Sequence, residues 1–126
     1  MSAEIHIRGE SRQDEFNENY DKVIFEVTPQ KKIDSENTSQ ISSLLSAIID
    51  GGAKKILLSM KDVGNVDSTG IGMLINTTRK IRNKEGELVL CNILEEVKNI
   101  MNLVKLPQFV NIYNTEKEAV EYLEKL

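Results

Sequence analysis

The chain has 126 residues, 40% of them apolar and 29% charged, with a net charge of −4. That length is enough to bury one core in one domain over residues 1–126, without disulfides or metals. The acidic balance leaves no electrostatic footprint for a phosphate backbone, so nucleic acid is not an expected partner. Residues 1–6 lack the basic and apolar regions of a secretory signal, and no apolar run approaches a membrane span. A soluble, cytoplasmic protein with no membrane partner is the expectation.

Residues 4–8 alternate polar and apolar, as a half-buried edge strand does, with Ile5 and Ile7 inward. Residues 9–21 are polar and charged apart from Phe16 and Tyr20, and read as a long surface loop. Val23-Ile24-Phe25-Glu26-Val27 is β-branched and aromatic, a strand closed by Thr28-Pro29. Ile41, Leu44, Leu45, Ile48 and Ile49 then form the stripe of an amphipathic helix. Asp34 or Ser35 is its expected cap and Gly51-Gly52 its stop. Ile56-Leu57-Leu58, with little alternation, predicts a strand covered on both faces.

A short loop with Gly64 and Asn65 leads to Val66-Asp67-Ser68-Thr69-Gly70-Ile71-Gly72 and a second amphipathic segment. Ser68 or Thr69 is the expected N-cap of that helix. Ile71, Leu74, Ile75, Thr78 and Ile81 face inward, whereas Met73, Asn76, Thr77, Lys80 and Lys84 face outward. Glycines in a first helical turn cost about 1 kcal/mol each against alanine. Gly70 and Gly72 therefore read either as easing a tight turn or as leaving backbone bare for a close approach.

Residues 83–86 make a turn, and residues 87–93 another buried strand that contains the one cysteine. Cys91 follows Leu88-Val89-Leu90 and reads as a small core residue rather than a reactive thiol. Val97, Ile100, Met101 and Val104 repeat the helical spacing, and Leu106-Pro107 breaks that helix. Residues 109–112 are short and strand-like. Thr115-Glu116-Lys117-Glu118 is a capping box that opens a last helix, with Ala119, Tyr122, Leu123 and Leu126 on one face. Strands alternating with helices in this way argue for an α/β fold with a largely parallel sheet.

Catalysis finds little support. His6 stands alone, without a partner for a nucleophile–base pair, and no cluster has metal-ligand spacing. Residues 64–72 lack the Gly-Lys-[Ser/Thr] ending of a phosphate loop. Neither the aspartic-protease signature nor the acidic pair and lysine of a receiver domain is present, so no enzyme and no cofactor is expected. What remains is a hydroxyl at a helix start beside a carboxylate. Such a hydroxyl suits phosphorylation by a separate kinase, because free N–H groups and the helix dipole tolerate the added charge. A phosphoserine brings about −1.5 to −2 charges, which a partner packed there would meet as bulk, desolvation and repulsion.

These same residues closely resemble the Asp-Ser-[Ser/Thr]-Gly-[Leu/Ile]-[Gly/Ala] signature of STAS domains, and more narrowly that of bacterial anti-sigma factor antagonists. The similarity runs from about Val23 onward and takes in Ile56-Leu57-Leu58, Gly86-Glu87-Leu88-Val89-Leu90-Cys91 and the Val97-Lys98-x-Ile100-Met101 helix. The resemblance implies a four- to five-stranded mixed, largely parallel sheet with about four helices mainly on one face. It implies that Ser68 is phosphorylated by the anti-sigma factor, itself a serine kinase using ATP and Mg²⁺, with Thr69 as second candidate. The unphosphorylated form would bind that kinase and free a sigma factor; a PP2C-type phosphatase would reset it.

Asp67 would orient the hydroxyl or help the kinase, with Asp34 and Ser35 as neighbours of the site. Gly70, Ile71, Gly72, Met73 and Thr77 would form the partner-binding rim. A scaffold or small-ligand sensor within a larger signalling assembly is the alternative. The resemblance departs at three places. Residues 29–34 supply the Ile-Asp of the family's Gly-x-[Leu/Ile]-Asp but not the glycine, which leaves the shape of that loop open. Lys105 stands where many members have a glycine ending the third helix, and the loop over residues 9–21 is longer than expected.

Overall fold

The computed structural model describes residues 3–8 and 21–126. The predicted loop over residues 9–21 lies outside these, Asp21 excepted. Among the described residues the elements run β1 (Ala3–Arg8), β2 (Ile24–Pro29), β3 (Lys31–Ile33), α1 (Thr38–Asp50), β4 (Lys55–Ser59) and β5 (Val63–Val66). There follow α2 (Ser68–Asn83), β6 (Glu87–Cys91), α3 (Glu95–Leu103), a 3₁₀ turn (Leu106–Gln108), β7 (Asn111–Tyr113) and α4 (Glu116–Glu124).

The main sheet has five strands in the order β1-β2-β4-β6-β7. β1 is antiparallel to β2, and every other neighbouring pair is parallel. β4 and β6 are central and covered on both faces, which is why their sequences run apolar without alternation. On one face Ile56, Leu58, Leu88 and Leu90 meet Ile41, Leu45 and Ile49 of α1, Leu74 and Ile81 of α2, and Val97 and Met101 of α3. On the other, Ile24, Leu57, Val89 and Cys91 pack against Ala119 and Leu123 of α4. Each such fully buried aliphatic side chain contributes about 1.5–3 kcal/mol of transfer free energy. The expected mixed, mostly parallel sheet with helices mainly on one face is therefore what the chain forms.

A second, two-stranded parallel sheet joins β3 to β5, with Ile33 opposite Val66. Neither strand is expected from the sequence, where Gly64 and Asn65 read as loop. β3 follows β2 in the chain after Gln30, and β5 follows β4 after a turn closed by the Val63 amide on the Met60 carbonyl.

Several boundaries differ from expectation for identifiable reasons. α1 begins at Thr38 with Asn37 at the N-cap position, not at Asp34 or Ser35. The Asn37 side chain instead fastens the preceding loop: its Oδ1 accepts from the Asp34 amide at 2.9 Å and its Nδ2 donates to the Lys32 carbonyl at 2.7 Å. The helix ends as expected, with Gly52 taking φ 113° and its amide donating to the Ile49 carbonyl. The capping box of α4 is present, Thr115 and Glu118 each bonding the other's amide. Ile5, on the edge strand, is exposed rather than inward. Ile100 is exposed as well, on the outer side of α3, and so are Val104 and Leu126, which lie past the ends of α3 and α4.

The turn at Lys105 has φ 60° and ψ 35°, the left-handed conformation, and the residue keeps the conformation a glycine takes there. Lys31 does the same at φ 68°. It occupies the position of the missing glycine before Ile33-Asp34, so the loop preserves a glycine's backbone geometry under a lysine side chain.

Candidate functional site

β5 ends at Val66, and the first residue beyond it, Asp67, is the N-cap of α2 in extended conformation. Capping thus falls to Asp67, not to Ser68 or Thr69, because the strand delivers the aspartate to the helix mouth first. Its Oδ1 accepts from the Gly70 amide at 2.9 Å, while its own amide donates to the Ile33 carbonyl at 3.3 Å. A helix start leaves its first amides without intrahelical partners. With those two donors satisfied, the amides of Ser68 and Thr69 are left without a partner among the described residues.

Ser68 and Thr69 occupy the first two positions of the helix, and both are exposed. No hydrogen bond to another described residue holds the Ser68 hydroxyl. The Asp67 carboxylate makes its hydrogen bonds elsewhere, its Oδ2 accepting from the Ser35 amide at 3.1 Å. This last bond joins residues 32 positions apart and brings the β3–α1 loop to the start of α2.

That loop carries its own carboxylate. Asp34 Oδ1 accepts from the Glu36 amide at 2.9 Å, and its Oδ2 lies 3.2 Å from the Lys32 ammonium, which also pairs with Glu36. Partial desolvation works to raise the Asp34 pKa. The Glu36 amide, Lys32 and the Asn37 amide outweigh it and hold the carboxyl below its ordinary value. The same two carboxylates, Glu36 first and then Asp34, raise the pKa of Lys32. The arrangement presents an exposed hydroxyl beside the Asp67 and Asp34 carboxylates and two open amides. A hydroxyl so placed can accept a phosphoryl group, since free N–H groups at a helix start tolerate the added charge.

The glycines of the motif have separate roles. A Cβ on Gly70 would lie 2.4 Å from the Ile33 carbonyl oxygen, so what approaches Gly70 is the protein's own β3. Around Gly72 there is nothing within 4 Å, and its backbone borders open space. Ile71 is buried. Met73 and Thr77, expected on the outward face, are both buried, and the Thr77 hydroxyl donates to the Met73 sulfur at 3.6 Å. α1, β5 and β6 all pack on α2, which widens its buried face beyond a single helical stripe. Of the expected rim, only Gly72 borders open space together with Ser68 and Thr69. Sequence reasoning missed Ile33, whose carbonyl organises this corner; its pairing with Val66 has no signal in so short a strand.

Among the described residues no group of histidine, cysteine or acidic side chains has metal-binding geometry. No described helix is long and apolar enough to cross a membrane.

A Thermotoga maritima protein, provisionally named an anti-sigma factor antagonist, is 29% identical over 98 residues, covering 77% of this chain and 87% of its own. A crystal structure so named from the same organism superposes with a TM-score of 0.75 at 28% identity, over 79% of this chain and 86% of the other. The fold also matches that of the anti-sigma factor antagonist SpoIIAA in its unphosphorylated form, with a TM-score of 0.66 at 16% identity over 98% of this chain and 100% of that one. The profile of the STAS domain matches residues 16–119, and the chain belongs to that family.

Proposed function

We propose that the protein is an anti-sigma factor antagonist switched by phosphorylation of Ser68. The observation that carries this reading is the placement of Ser68: exposed, at the first position of α2, inside Asp67-Ser68-Thr69-Gly70. In the unmodified state the mouth of α2, with Gly72 open beside it, is a docking surface for an anti-sigma factor that is also a serine kinase, and capture of that kinase frees a sigma factor. Phosphate on Ser68 reaches the open amides of Ser68 and Thr69, so the fold accommodates it. The docked partner does not, since it meets a hydrated dianion next to Asp67. A loss of about 3 kcal/mol already weakens binding more than a hundredfold. A PP2C-type phosphatase would restore the binding form. The protein supplies the acceptor and its partner the catalysis.

The test pairs the purified protein with a serine-kinase anti-sigma factor from the same genome, ATP and Mg²⁺. Intact mass should rise by one phosphate in the wild type and not in Ser68→Ala. Ser68→Asp should keep the fold and lose kinase binding; equal binding by this variant would refute the charge switch. Phosphate on Thr69 alone would move the acceptor by one residue.

A further inference from the structure

The Asp67 carboxylate spans two segments that the sequence keeps far apart. One oxygen caps α2 through the Gly70 amide at 2.9 Å, and the other accepts from the Ser35 amide at 3.1 Å in the β3–α1 loop. The cap is local, between residues three apart. The second bond is long-range, lies at an exposed loop, and is the only side-chain link between residues 34–37 and the mouth of α2 among the described residues. The loop's remaining side-chain bonds run within residues 32–37: Glu36 amide to Asp34, Asp34 amide to Asn37, Asn37 to the Lys32 carbonyl.

We propose that Asp67 is a latch, that phosphorylation of Ser68 opens it, and that the Ser35–Glu36 segment is therefore part of the surface that the switch controls. This rests on the reading of Ser68 as the acceptor. A phosphate on Ser68 places a dianion one residue from Asp67 and takes up the open amides of Ser68 and Thr69. Repulsion turns the Asp67 carboxylate about its bond to the Gly70 amide. The cap is held by chain proximity, whereas the Ser35 amide is held by one hydrogen bond to an exposed loop, so the latch yields first. Release alters the docking surface beyond the footprint of the phosphate itself. Asp67 is on this account a positioning residue: it shapes the partner's landing site without touching the transferred phosphoryl group.

The experiment uses the full chain with phosphoserine installed at position 68 during translation, so that it does not depend on a kinase. Solvent exchange of the Ser35 and Gly70 amide protons is read by ¹⁵N NMR. Loss of the bond should speed Ser35 exchange roughly tenfold or more and leave Gly70 changed far less. Asp67→Asn, without phosphate, has one side-chain oxygen for two donors. It should keep the cap, lose the latch, reproduce the fast Ser35 exchange and weaken capture of the unphosphorylated protein's partner, with little change in Tm. Slow Ser35 exchange in the phosphoserine protein overturns the switch. Slow Ser35 exchange in Asp67→Asn overturns the latch itself. Failure of a kinase to modify Ser68 would count against the acceptor reading and would leave both of these measurements decisive for the latch.

Discussion

The carbonyl oxygen of Ile33 sits 2.4 Å from where a Cβ on Gly70 would be, so β3 and the first turn of α2 meet backbone to backbone. The same carbonyl accepts the Asp67 amide. One peptide group of a three-residue strand thus sets the height at which the candidate acceptor is held.

Gly70 and Gly72 should consequently answer the same substitution in opposite ways. Gly70→Ala drives a methyl group against a backbone oxygen and should cost about 1–3 kcal/mol. Gly72→Ala meets nothing and gains helix propensity, worth up to about 1 kcal/mol. Thermal unfolding checks both signs. If Gly72 lies under the docked partner, the stabler Gly72→Ala variant should also bind the anti-sigma factor more weakly.

Lys31 and Lys105 hold left-handed backbone conformations at φ 68° and 60°. A side chain at such a position carries roughly 1–2 kcal/mol of strain, offset in part by the greater unfolded-state freedom of glycine. Lys31→Gly and Lys105→Gly should each stabilise the protein, by about 0.5–1 kcal/mol. A fall in the denaturation midpoint of either would show that its lysine makes a compensating contact.

Asp50, at the end of α1, accepts from Lys84 at 3.1 Å and from Lys80 at 3.3 Å, both on α2. Lys84 first and then Lys80 hold its carboxyl below the ordinary value. A folded-state pKa below the unfolded one stabilises above the unfolded value of about 4 and is lost as pH falls through the folded value. Asp50→Asn should therefore flatten the acid limb of the Tm-against-pH profile. At pH 7 it should lower Tm slightly, and less in high salt.

Leu103 is 85% exposed on α3 although the chain is otherwise well packed. Leu103→Ser should leave folding stability within about 0.5 kcal/mol of wild type. A larger loss in a urea titration would mean that this side chain is covered in solution.

The main architecture is legible from the sequence because β4, β6 and the helical stripes repeat their apolar residues over several periods. Val63 and Val66 bracket Gly64-Asn65 with too few residues for any period to show, so the β3–β5 pair is not. Three consecutive residues able to cap, Asp67, Ser68 and Thr69, leave the cap undecided by residue type; the end of β5 decides it. The motif marks the candidate acceptor, but the bond from Ser35 to Asp67 is invisible, since nothing in either segment announces the other. Lysine gives no hint of positive φ, and only the family's glycines point to Lys31 and Lys105.

Cys91 is sealed between the sheet and α4, on the face away from α2, with Ala119 and Leu123 over it. The chain therefore carries a native chemical clock. An alkylating reagent can reach this thiol only when α4 lifts or the whole protein opens, and its labelling rate reports how often that happens without any engineered probe.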